Sequence, residues 1–176
     1  MNRMMMFSAA LALGLGGCMT QGAAPPVMPV AVTASSASEF TMMATSSNLL
    51  EIESSRLALR NSRDADVRSF ANRMIRDHGA AARKMTTAVR AAGLPAPARS
   101  LSARHQTMLD TLQSASPEEF DAAYLELQAN AHTEGVTLFS SYAENGDNPR
   151  LQRFARETLP TLEMHAEHVE RLRPAR

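Results

Sequence analysis

Four ionisable side chains fall on helical stripes that are otherwise apolar: Glu51, His78, His132 and His165. His78 shares its stripe with Met74 and Ala81, and His132 lies at the edge of one with Gln128 and Gly135. His165 stands between Leu162 and Val169, and Glu51 lies beside Leu50 and near Ser54. Glu51, His78 and His132 sit near the middle of their helical segments, and His165 two-thirds along its own. In antiparallel helices whose axes lie about 8–10 Å apart, such positions meet in one slab. Three imidazoles and a carboxylate suit a first-row transition metal, with zinc, copper(II) and iron all allowed by ligand type. Rings that bind metal need outer partners, and Glu53, Tyr124 and Gln128 are the candidates. Met74, four residues before His78, is core filling or a soft ligand for copper. The competing reading is structural: buried histidines hydrogen-bonded within the core, with Glu51 satisfying them. Asp77 reads as a surface charge, His105 and His168 as solvated, and Tyr124 also as a core aromatic with its hydroxyl satisfied.

The elements that must position these residues are helices. Phe40, Met43, Ser47, Leu50, Ser54 and Leu57 recur at steps of three and four. A second helix starts near Asp64, carries Val67, Ala71, Met74, His78, Ala81, Met85 and Ala88, and stops at Gly93, Pro95 and Pro97. Residues 100–113 form a short connecting helix with Ser100 as N-cap. Ser116-Pro117-Glu118-Glu119 reads as a capping box opening the third main helix, which ends at Asn145-Gly146-Asp147. Asn148-Pro149 opens the last helix, where Pro160 should introduce a kink. No stretch alternates with period two. The expected fold is an all-α antiparallel four-helix bundle over residues 39–173, built from two hairpins joined by the connecting helix.

Composition agrees. The chain has 176 residues, enough for one domain with appendages, and its 5% aromatics without Trp favour helices over sheets. Eighteen basic residues balance 18 acidic ones, so no net charge argues for nucleic acid as a partner. No phosphate loop, dinucleotide fingerprint or Ser-His-Asp pattern is evident.

The N-terminus reads as an address. Arg3 precedes an apolar run from Met4 to Leu15, too short to span a membrane at the ~20 residues that requires. Leu15-Gly16-Gly17-Cys18 resembles a bacterial lipobox, making residues 1–17 a signal peptide and Cys18, the only cysteine, the lipidated mature N-terminus. The alternative is an ordinary signal peptide cut near Gly22 to Ala24. Residues 18–38 then form a linker, uncharged and rich in Ala, Pro and Ser. The partner is the membrane, through the lipid, and Met19 after the Cys favours an outer-membrane lipoprotein on the periplasmic side. No protein partner is specified.

Several blocks occur together in order: Glu51-Ile52-Glu53 with Leu57-Ala58, Phe70-Ala71 with Met74-Ile75 and Asp77-His78, Phe120-Asp121 with Tyr124, Gln128 and His132, then Leu159-Pro160 and His165. Over residues 39–172 the chain resembles the bacterial family named domain of unknown function 4142. The resemblance implies a ferritin-like bundle, commonly exported, with no settled activity. A di-iron site of the ferritin kind needs Glu-x-x-His pairs, and none occurs here. The first functional expectation is therefore an exported envelope lipoprotein, a non-catalytic structural or interaction module. The alternative is a periplasmic metal-binding bundle with a Glu/His core site, serving sequestration or a stress response.

Overall fold

The computed structural model describes residues 33–173. The signal peptide, Cys18 and most of the expected linker lie outside the described residues. Within them are five helices and no strand: α1 Ala37–Asn61, α2 Ala65–Ala91, α3 Ala103–Gln113, α4 Phe120–Asn145 and α5 Pro149–Leu172. Helices α1, α2, α4 and α5 form the antiparallel bundle. The segment after α2 crosses along it, and α3 packs on α1 and α4. No described helix is long and apolar enough to cross a membrane.

Local chemistry explains most of the boundaries. Asp64 caps α2 by accepting from the amides of Asp66 and Val67 at 2.8 and 2.9 Å. The same helix ends in a Schellman turn: Leu94 N–H reaches Val89 O, Gly93 N–H reaches Arg90 O, and Gly93 takes φ 71°. That positive φ is why a glycine stands there. Asn148 caps α5, with Pro149 in its first turn, and the helix continues through the exposed Pro160.

Three boundaries differ from expectation. Helix α1 starts at Ala37, capped by Ser36, and Ala34 and Ala37 are already buried, so packing begins before residue 39. Ser102 rather than Ser100 caps α3. Ser116 does not cap α4. Its hydroxyl donates to the Glu119 carboxylate at 2.9 Å, a turn occupies residues 117–119, and the helix starts one turn later without a side-chain cap.

The core has two apolar clusters. One joins the start of α1, the end of α2, the end of α4 and the start of α5 around Phe40, which stacks on Tyr142 at 4.0 Å. The other fills the opposite end with Leu57, Phe70, Met74, Tyr124 and Val169, sealed by Met108 and Leu112 of α3. Met74 is thus part of the apolar core. Between the clusters lies a buried polar layer.

Candidate metal centre

Each bundle helix contributes one member of this layer: Glu51 from α1, His78 from α2, His132 from α4 and His165 from α5. All four are at most 5% exposed. The imidazole centroids lie 5.7 Å (His78–His132), 5.6 Å (His78–His165) and 5.4 Å (His132–His165) apart. One nitrogen from each ring can be chosen so that all three lie within 4.8 Å of one another. Nitrogens bound to one zinc or copper ion stand about 3.4 Å apart, so rotamer adjustments of about 1 Å would close the triangle.

The outer nitrogen of each ring meets an oxygen. His78 Nδ1 lies 3.2 Å from Asn48 Oδ1, His132 Nδ1 lies 2.9 Å from Gln128 O, and His165 Nε2 lies 2.9 Å from Asp77 Oδ2. Carbonyl and carboxylate oxygens only accept, so these nitrogens carry the ring protons. The other nitrogens, His78 Nε2, His132 Nε2 and His165 Nδ1, then present lone pairs, and none of them has a partner among the described residues. Glu51 Oε2 is a fourth buried polar atom without a partner. Its other oxygen lies 3.4 Å from His132 Nδ1, and its carboxyl hydrogen-bonds Gln128.

Electrostatics keep the rings neutral. Burial, reinforced by the neighbouring rings, holds His78 well below the ordinary histidine value. Burial takes His132 down to about 4 despite its bond to the Gln128 carbonyl. Burial also lowers His165, against the opposing pull of Asp77. Neutral imidazole is the form that binds metal. Burial raises Glu51 to about 8, so its carboxyl keeps a proton until a cation arrives. A cavity of ≈ 20 Å³ touches Glu51, His78 and His132. That is room for one ion or water and none for a substrate beside it.

The layer contains Glu51, His78, His132 and His165, with Gln128 as a neighbour, but only the three histidines bring possible ligand atoms within 4.8 Å of one another. Glu51, expected as a fourth ligand, stands outside that group, against the outer nitrogen of His132. Other expected partners lie elsewhere. Glu53 points to the surface and pairs with Arg56 at 2.6 Å, because two helical positions turn it about 200° from Glu51. Tyr124 stands two turns, about 12 Å, from His132 along α4, and its hydroxyl meets Ser55 Oγ at 2.9 Å. Asp77, expected on the surface, is the acceptor that orients His165, and Asn48 does the same for His78. Asp77 is only off the stripe of its own helix; the side it occupies faces α5. His168 is not simply solvated, since its ring meets Phe70 edge-on at 5.2 Å. Nor is His105: Nδ1 lies 2.7 Å from Ser46 Oγ and Nε2 lies 3.7 Å from Glu134. A Ser–His–Glu sequence of contacts therefore exists where none was expected. Ser46 is buried and also accepts the Ser102 amide at 2.7 Å, and Glu134 is ion-paired with Arg104. These contacts clasp α3 to α1 and α4.

Similar folds are known. A DUF305 fragment from Deinococcus radiodurans superposes with TM-score 0.67 at 18% identity, over 77% of this chain and 93% of that one. CopM in its Cu(II)-bound form superposes with TM-score 0.66 at 19% identity, over 80% and 97%. At such identities the likeness establishes the helical-bundle fold alone. No curated protein matches the sequence. Residues 22–172 match the family described as Domain of unknown function (DUF4142), and the chain belongs to that family.

Proposed function

We propose that this protein is a non-catalytic metal-binding bundle that holds one first-row transition metal in the Glu51, His78, His132 and His165 layer, carried on the periplasmic side of a membrane by a lipid on Cys18. One observation carries the metal reading: three buried, neutral imidazoles turn unpartnered lone pairs toward one point. A water has two hydrogens and cannot satisfy three such nitrogens, whereas one cation serves all three. The outer partners on Asn48, Gln128 and Asp77 are those that ligating histidines use to fix tautomer and orientation. A site with no space for a substrate suits retention of an ion over turnover. Copper(II) heads the affinity order for such nitrogen and oxygen donors, and one neighbour with this fold was solved with Cu(II) bound. The purely structural reading leaves the three imidazole lone pairs unexplained.

The test is titration of the processed, metal-free chain with Cu(II) and Zn(II) at pH 7.5. One ion per chain, nitrogen hyperfine structure in the Cu(II) paramagnetic resonance spectrum and a raised Tm are expected, since an ion bound only to the native state stabilises it. No stoichiometric ion and no Tm shift would sink the reading. The anchor is tested separately by mass spectrometry of the native N-terminus; an unmodified peptide starting after residue 19 excludes lipidation of Cys18.

A further inference from the structure

We propose that the basic face at one end of the bundle docks on an anionic phospholipid surface. The inference builds on the membrane-side reading above and adds a second contact to it. The start of α1, the end of α2 and the start of α5 share one apolar cluster and therefore one end of the molecule. The chain enters the fold there, at residues 33–36. Between α2 and α5 near that end runs a groove of ≈ 650 Å³ lined by Lys84, Arg150 and Arg153 over Ala88 and Phe154, with Glu157 as its one carboxylate. None of the three cations has a hydrogen-bond or ion-pair partner for its side chain among the described residues, and the same is true of Arg90 in the last turn of α2.

The far end differs. There Arg56 pairs with Glu53, Arg171 with Glu167, and Arg173 with both Glu126 and Glu170. Arg60 and Arg63 at that end also lack a side-chain partner among the described residues, but Asp64 and Asp66 stand beside them in the sequence, whereas Glu157 is the one carboxylate lining the groove. Free cations above an apolar floor fit a phosphate headgroup resting on its first methylenes. Only 14 residues separate Cys18 from Thr33, the first described residue, at this end of the bundle, so a lipid on Cys18 would bring this face toward the membrane. Attraction to an anionic leaflet fades within a Debye length, which the tether keeps within reach. A weak contact suffices, because tethering makes it effectively intramolecular.

The test uses the processed chain carrying C18S, which has no lipid. It is sedimented with vesicles of phosphatidylethanolamine containing a quarter phosphatidylglycerol, and with neutral phosphatidylcholine vesicles. The expected result is binding to the anionic vesicles alone, lost on raising NaCl from about 20 to about 300 mM. Charge reversal in K84E/R150E/R153E should weaken it about tenfold or more, with circular dichroism and metal stoichiometry unchanged. R60E/R63E, at the far end, should bind as the parent does. No binding to anionic vesicles, equal binding to neutral ones, or undiminished binding by the groove variant overturns the inference. Because Cys18 is absent throughout, these outcomes are independent of whether the native chain is acylated. Failure here leaves the anchor standing, and an unlipidated native N-terminus leaves the vesicle result standing.

Discussion

Asp77 Oδ2 lies 2.9 Å from His165 Nε2, an α2 carboxylate holding the ring of an α5 histidine by its outer edge. The contact keeps the proton on Nε2 and turns the Nδ1 lone pair inward. Asp77 is itself about a third exposed, so it can be changed without opening a core cavity. D77A should weaken metal binding by about 10–100-fold, the usual effect of losing such a partner, while the melting curve of the metal-free protein moves little. D77N, which keeps an acceptor oxygen, should fall between. Calorimetric titration reads the affinities. Unchanged affinity in D77A would mean that His165 is not a ligand.

The metal-free protein should show a stability maximum in pH, because the layer contains groups shifted in opposite senses. Unfolded Glu51 loses its proton near 4.5, whereas the native carboxyl holds it to about 8. Between those values the native state binds more protons, so stability falls as pH rises. The histidines act the other way. Unfolded rings take up protons below 6.5 while native His132 stays neutral down to about 4, so stability falls as pH drops through that window. With three rings opposing one carboxyl, the maximum should lie near the histidine value of 6.5. From there to about 8, the loss should be about 2 kcal/mol. E51Q should abolish the alkaline decline and keep the acid one. Urea melts in the presence of a chelator check both, and a flat wild-type profile above the maximum would refute the buried, protonated carboxyl.

Helix caps offer a test away from the site. D64A should cost about 1 kcal/mol, because Asp64 alone serves two amides at the start of α2. S116A should cost less than about 0.5 kcal/mol, as a surface change that removes no cap. Denaturant melts of the two variants decide it, and equal losses would restore Ser116 as the cap of α4.

The contrast between Ser116 and His132 shows what could be read before the fold was known. Spacing of three and four places His78, His132 and His165 on core stripes whatever the bundle's handedness, and midpoint heights bring them together. Asp77 and Asn48 escaped that reading because their roles depend on which helix stands beside α2. His105 depends on where α3 docks. Ser116 begins a pattern that fits a capping box, but local hydrogen bonds decide helix starts. Here the Glu119 carboxylate takes the hydroxyl, and a turn delays the helix. Periodicity reports one helix's faces; it does not report what a neighbouring helix offers to them.

The last prediction asks what the polar layer costs. Unpartnered buried acceptors and a desolvated carboxyl are unfavourable in a fold held by apolar burial. Replacing the layer with apolar side chains of similar size, as E51M/H78L/H132L/H165L, should remove that penalty. Asn48 and Asp77 are only partly buried, so water can take over their hydrogen bonds. The metal-free variant should therefore be more stable than the metal-free parent, by about 1–3 kcal/mol, the usual penalty of a buried polar group left without a partner. It should bind no ion, and saturating metal should bring the parent level with it or above it. A layer kept for structure behaves in the opposite way: its hydrogen bonds to Asn48, Gln128 and Asp77 would be net stabilising, and the apolar variant would melt lower. Melting the two proteins side by side, with and without chelator, separates a site that stability tolerates from a core that stability requires.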